Sequence, residues 1–78
     1  MVMNPHEALA HAVEKAGGQA ALGRLIGERQ QKIFYWLNGS KRGAPAEAVL
    51  EIERVTGVSR HELRPDVYPA PAQEGEAA

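Results

Sequence analysis

The apolar residues of this chain recur at intervals of three and four in four segments, and this spacing predicts α-helices. In the first segment Leu9 and Val13 stand four residues apart, and in the third Trp36 follows Ile33 after three. No segment shows the strict alternation of apolar and polar residues that predicts a strand. The predicted inward stripes are Leu9, Ala12, Val13 and Ala16; Leu22, Leu25 and Ile26; Ile33, Trp36 and Leu37; and Ala48, Val49, Ile52 and Val55.

Residues that start or stop helices bound these segments. Asn4, followed by proline and by Glu7, is typical of an N-cap with a capping box, and Gly17-Gly18 ends that helix. Four further helices are predicted: Gln19 to Ile26 with Gly27 as its stop; residues 29–38; a helix opened by Pro45 and ended by Gly57; and a short turn from a second capping box, Ser59-Arg60-His61-Glu62, to Pro65. The predicted fold class is all-α, a compact bundle of five short helices.

The second and third helices meet the requirements of a helix-turn-helix. The helices cross where a small residue is needed, and Gly23 provides it. The turn needs a residue that tolerates positive φ, and Gly27 is the least costly choice. We therefore predict a DNA-binding domain over residues 4–68, followed by a disordered acidic tail over 69–78 that has no apolar periodicity.

The net charge of −1 argues at first against a nucleic-acid partner, but the distribution of charge reverses that. Residues 24–42 carry +4, whereas 1–23 and 43–78 carry −1 and −4. A local basic patch is the feature that favours phosphate binding.

The absence of cysteine excludes disulfides and thiolate metal sites. No segment has the length of a membrane span or the layout of a signal peptide, so we expect a cytoplasmic protein.

The outward face of the third helix is rich in amide and aromatic groups and carries no acidic residue. A glutamine amide can pair with adenine through one donor and one acceptor, which favours base contact over an ordinary solvated surface. The predicted base contacts are Gln30, Gln31, Lys32, Phe34 and Tyr35, and the predicted phosphate contacts are Gln19, Arg24, Arg29, Asn38, Ser40, Lys41 and Arg42. Plain surface glutamines and solubilising cations are the alternative. Trp36 belongs to the inward stripe and is predicted in the core.

Other chemistry finds little support. The histidines, His6, His11 and His61, have no ligand spacing and no cysteine or acid cluster beside them, so no metal is expected. No nucleophile–base–acid set and no phosphate-binding glycine loop after a strand is present, so neither a cofactor nor an enzymatic activity is predicted.

Several short motifs are similar to those of a known family. They are Ala16-Gly17-Gly18-Gln19, Leu22-Gly23 with Ile26-Gly27, Gln30-Gln31 with Ile33 and Trp36, Pro45-Ala46-Glu47, Ile52-Glu53 with Thr56-Gly57, and Leu63-Arg64-Pro65-Asp66. Over about residues 8–68 the chain resembles the small Cro/YdaS-type members of the lambda-repressor-like DNA-binding proteins, found in prophages and toxin–antitoxin loci. Three positions depart from that pattern: Glu28-Arg29 replaces an apolar residue and a capping hydroxyl, and Phe34 replaces a small polar residue.

The resemblance implies a five-helix regulator of transcription that binds an inverted repeat in double-stranded DNA as a homodimer, which either exists in solution or forms only on DNA. The implied role is a prophage repressor or an antitoxin that controls its own promoter. A second hypothesis stays open: a protein-interaction module of the same fold that has lost specific DNA binding, for example an antitoxin that neutralises a toxin protein. The acidic net charge and the absent cap favour it.

Overall fold

The computed structural model describes residues 4–69 and folds them into five helices joined by short turns. They are α1 (Pro5–Ala16), α2 (Gln19–Ile26), α3 (Gln30–Asn38), α4 (Ala46–Thr56) and α5 (Arg60–Leu63). Over the described range there is no strand, so the all-α prediction is confirmed. The predicted acidic tail lies outside the described residues apart from Pro69.

The helix ends can be compared with the caps that the sequence predicted. At α1 the Asn4 side chain accepts a hydrogen bond from the Glu7 N–H (2.8 Å), and the Glu7 carboxylate accepts one from the Asn4 N–H (3.1 Å), which confirms the capping box. At α5 Ser59 is the N-cap and its hydroxyl accepts a hydrogen bond from the His61 N–H, but neither of the side-chain bonds between Ser59 and Glu62 that define a capping box forms, so the second predicted capping box is wrong. Pro45 occupies the N-cap position, and α4 begins one residue later than predicted.

Each helix contributes at least one fully buried side chain to a common core. These side chains are Leu9 from α1, Leu22 from α2, Ile33 from α3, Val49 and Ile52 from α4, and Leu63 from α5. Helix α1 packs against all four of the others and so forms the centre of the bundle. Trp36 is only 4% exposed, which confirms its predicted place in the core.

One predicted core residue is wrong: Leu25 is 49% exposed. At about 100° per residue, Leu22, Gly23 and Ile26 define an arc of α2 that faces α3 and the core. Leu25 falls roughly 100° from the middle of that arc, on the far side of Leu22. The spacing of apolar residues in α2 allows either Leu25 or Gly23 to face the core. Because α3 packs on Gly23, Leu25 is left outside.

The turn between α2 and α3 has the geometry that the helix-turn-helix prediction requires. Gly27 has φ +75°, and the Glu28 N–H donates to the Gly23 carbonyl oxygen (2.8 Å). A Cβ atom at Gly23 would lie 2.5 Å from the Glu28 carbonyl oxygen. Both glycine predictions are therefore confirmed. The close approach of the backbones fixes where α3 starts relative to α2.

None of the helices within residues 4–69 combines the length and the apolar character needed to cross a bilayer.

Candidate nucleic-acid interface

Helix α3 divides its side chains between the core and solvent as the sequence predicted. Ile33 and Trp36 are buried, whereas Phe34 and Tyr35 are 56% and 57% exposed. The other predicted outward residues, Gln30, Gln31, Lys32 and Asn38, are exposed as well. An exposed pair of neighbouring aromatic side chains on a helix of this length forms a surface that is suited to contact rather than to solvation alone.

Two concave surfaces lie along this face of α3. The first, here called the glutamine cleft, is lined by Gln19 of α2 and by Gln30, Gln31 and Phe34 of α3. The second, here called the basic groove, runs across the turn between the two helices. Its lining includes Arg24, Arg29, Lys32, Gln31 and Tyr35, and it also contains Ala20, Gly23, Gly27, Glu28 and Gln30. The predicted base contacts thus border the two surfaces that α2 and α3 build together.

The first residues of α2 and α3, Gln19 and Gln30, both line the glutamine cleft. Gly18 and Arg29 are the N-cap residues, and neither helix has a side-chain cap hydrogen bond. The absent cap that the sequence indicated at Arg29 is therefore confirmed. The first N–H groups of a helix lack partners within the helix and carry the positive end of its dipole. Uncapped ends of this kind favour an anionic ligand such as a phosphate.

The basic residues around the outward face of α3 differ in whether they form an ion pair with an acidic side chain. Arg24, Arg29 and Lys41 form no ion pair with any residue between 4 and 69. Lys32 lies 4.0 Å from Glu28, at the limit of an ion pair, and the Lys32 side chain is exposed, so this contact is weak. Arg42 donates to Asp66 at 3.1 Å. Three basic side chains are consequently available to an outside partner without breaking an internal pair.

Besides Arg42, two of the predicted phosphate contacts already use a donor inside the protein. The Ser40 hydroxyl donates to the Gly43 carbonyl oxygen (2.8 Å), and an Asn38 amide N–H donates to the Phe34 carbonyl oxygen (3.0 Å). Asn38 keeps a second amide N–H, whereas the single hydroxyl proton of Ser40 is committed to the loop. The Ser40 contact therefore requires an exchange of hydrogen bonds.

The basic loop, residues 40–44, is held from two sides. The His6 ring donates through Nε2 to the Ser40 carbonyl oxygen (2.7 Å), and the Arg64 guanidinium donates to the Ala44 carbonyl oxygen (2.9 Å). Gly43 has φ +82° and packs against the backbone of Pro5. These bonds fix the loop backbone while Lys41 remains exposed. The loop is thus a positioned basic edge beside α3.

Arg64 also makes a two-pronged contact with Asp66, at 2.9 Å and 2.8 Å. The Arg64 guanidinium, with a smaller contribution from Arg42, holds the pKa of Asp66 well below its ordinary value of 3.8. Asp66 therefore stays charged to a lower pH than an isolated aspartate does. Sequence reasoning missed the supporting roles of His6, Arg64 and Asp66, because the partner carbonyls lie 34 residues from His6 and 20 residues from Arg64, and no local pattern signals them.

Within residues 4–69 no group of three or more histidine and acidic side chains is close enough together to hold a metal ion. His6 and His61 instead bond to backbone carbonyl oxygens, those of Ser40 and Tyr68.

Comparison with known proteins assigns the chain to one family. A family model described as "Bacterial toxin YdaS" matches residues 9–72. A protein of Escherichia coli (strain K12) named "Putative transcriptional regulator YdaS" is 42% identical over 53 residues, which cover 65% of this chain and 53% of the relative. The chain thus spans about half the length of that curated relative. No solved structure matches the chain. The match over most of its length, together with the helix-turn-helix, shows that this chain belongs to the YdaS family.

Proposed function

We propose that this protein is a transcriptional regulator that binds a specific sequence in duplex DNA through α3. The observation that carries the proposal is the outward face of α3, where exposed amide and aromatic groups stand beside two uncapped helix N-termini. Unpaired Arg24 and Arg29 flank the same face. The name of the Escherichia coli relative supports this reading. In finer terms, we propose a prophage repressor of Cro type or an antitoxin that regulates its own promoter.

In the proposed complex, α3 enters the major groove with its N-terminal residues on the base edges. Gln30, Gln31 and Lys32 lie in the first turn and reach the bases there, and Phe34 and Tyr35 follow in the next turn. Gln19, Arg24, Arg29, Asn38, Ser40, Lys41 and Arg42 contact phosphates and set the register of the protein on the duplex.

We further propose that the protein acts as a homodimer on an inverted repeat, with half-site centres about 10 bp apart. The surface around α4 and α5 is the proposed interface. Two large apolar side chains are exposed in this region, Leu50 on α4 and Val67 just after α5.

Replacing Lys41 with alanine is expected to weaken binding to all duplexes equally and to reduce its dependence on salt. Each lost phosphate contact lowers the slope of log affinity against log salt by about 0.9 in B-DNA. Lys15→Ala provides the matched control, because Lys15 is an exposed lysine at the end of α1, away from the basic loop. Titrations at several salt concentrations measure both slopes. Equal slopes for the two variants would remove Lys41 from the interface.

Gly39 is expected to position the ring of Tyr35. Its φ of −117° suits any residue, but a Cβ atom there would lie 2.8 Å from Cδ1 of Tyr35 and 3.0 Å from Cε1. Gly39→Ala must therefore move the ring without straining the backbone, and we expect a several-fold loss of specific DNA affinity. In a Tyr35→Ala background the same change is expected to have almost no further effect. Additive losses in this double-mutant cycle would contradict a role through Tyr35.

A second candidate function is a protein-interaction module within a toxin–antitoxin pair. The family description names a bacterial toxin, and Phe34, Leu25 and Leu50 expose apolar surface. Such a module would bind native and scrambled duplexes equally and weakly. Its contact with a protein partner would change little between low and high salt, since apolar burial is not screened.

A further inference from the structure

The glutamine cleft has an unusual set of functional groups. Three of its four lining residues, Gln19, Gln30 and Gln31, are amides, and the fourth is the ring of Phe34. None of the four is charged. The nearby cations line the basic groove on the other side of Gln30 and Gln31 instead. The cleft therefore offers paired donors and acceptors beside one apolar surface.

The edges of the base pairs in the major groove differ in whether they match this combination. A guanine presents two acceptors, N7 and O6, which arginine or lysine satisfies best, and a G·C pair has no methyl group. An A·T pair presents the N7 acceptor and N6 donor of adenine, which suit an amide, and the C5 methyl of thymine, which suits an apolar side chain. The cleft has the amides and the ring but lacks the cation.

We propose that Phe34 determines specificity by contacting the C5 methyl group of thymine, in a half-site where Gln30 and Gln31 contact adenine. The inference rests on the proposed function and names the base pair that the same site selects. Gln30 and Gln31 precede Phe34 by four and three residues, so all three share one face of α3 and can meet neighbouring base pairs. The exposed ring of Phe34 loses solvent contact in the complex.

The solvent exposure of the Phe34 ring favours a contact that forms only when a partner binds. Phe34 is 56% exposed although it borders a cleft, so the protein leaves much of its apolar surface uncovered. Its backbone is nevertheless fixed, because Phe34 lies inside α3, and its carbonyl oxygen also accepts a hydrogen bond from the Asn38 side-chain amide (3.0 Å). The ring therefore stands on a regular helix and can be removed without disturbing the buried Ile33 and Trp36.

The test begins with duplexes selected by the intact protein from a random-sequence pool, which supply a defined site. Every thymine in the selected duplex is then replaced with 2′-deoxyuridine, which keeps the hydrogen-bonding groups and removes only the methyl. The wild-type protein is expected to lose about three- to five-fold in affinity per half-site, the value of one buried methyl group. Single replacements are expected to localise the loss to one thymine in each half-site.

Phe34→Ala is expected to bind the thymine and uracil duplexes equally well. Leu25→Ala is the matched control, because Leu25 is also a large, exposed apolar residue but lines neither the cleft nor the groove. It is expected to discriminate as the wild type does. Circular dichroism establishes that both variants remain folded.

Three results would overturn the inference. Equal binding of the two duplexes by the wild type would show that no methyl is contacted. Undiminished discrimination by Phe34→Ala would assign the methyl contact, or an effect of DNA shape, to another residue. If the selection yields no enriched sequence, the proposed function itself is overturned, and Phe34 is then expected to contact a protein partner. If a site is enriched but the wild-type protein binds its uracil form with equal affinity, only this inference is overturned.

Discussion

Replacing Trp36 with alanine is expected to unfold this protein rather than to weaken DNA binding selectively. Trp36 is 4% exposed and belongs to the core that all five helices share. Truncating a buried aromatic side chain of this size costs about 3–5 kcal/mol. Small domains have a total stability of about 5 kcal/mol at the low end of the usual range. The variant should therefore lose its helical circular dichroism signal and its cooperative urea transition.

Tyr35→Ala is the control for this prediction, because it removes an aromatic side chain from the next position of the same helix. Tyr35 is 57% exposed, so its loss should change the urea midpoint little. A Trp36→Ala variant that unfolds at the wild-type urea concentration would show that Trp36 is not part of the core.

Gly23→Ala is expected to destabilise the protein by about 1–3 kcal/mol, the usual cost of forcing extra volume into a packed site. The added Cβ would lie 2.5 Å from the carbonyl oxygen of Glu28, a backbone atom that cannot rotate away. Relief requires α2 and α3 to separate, and this displaces Gln30 and Gln31 from their places beside Gln19. Loss of DNA affinity should accompany the loss of stability.

Whether Gly23→Ala lowers or raises the stability distinguishes backbone crowding from helix propensity. Gly23 has ordinary helical backbone angles, so helix propensity alone predicts that alanine stabilises α2 by up to about 1 kcal/mol. Ala20→Gly, at an exposed position of the same helix, measures that propensity separately. A higher urea midpoint for Gly23→Ala than for the wild type would contradict the close approach of the two backbones.

The sequence predicted the helices well because their boundary signals are local. The pairing of Asn4 with Glu7 spans three residues, and Gly17, Gly27 and Gly57 each end a helix in the left-handed conformation. Leu25 shows where such reasoning fails. Its spacing fits an inward stripe, but only the position of α3 decides which side of α2 is covered.

The exposed face of the candidate site could be predicted from the sequence, whereas the contacts that hold the basic loop in place could not. The outward set from Gln30 to Tyr35 follows from helical geometry once Ile33 and Trp36 are placed inside. The contacts that hold the basic loop, from His6 and Arg64, join residues that are far apart in the chain. Likewise, the internal hydrogen bond of the Ser40 hydroxyl depends on the conformation of that loop, which no residue pattern specifies.

Recognition of a DNA sequence by α3 can be measured by fluorescence anisotropy. The protein is titrated against a labelled duplex from the region upstream of its own gene and against a scrambled duplex of the same composition. We expect tighter binding to the native duplex, and we expect the Gln31→Ala/Tyr35→Ala double variant to lose this preference. Equal affinity of the wild-type protein for both duplexes would contradict sequence recognition by α3.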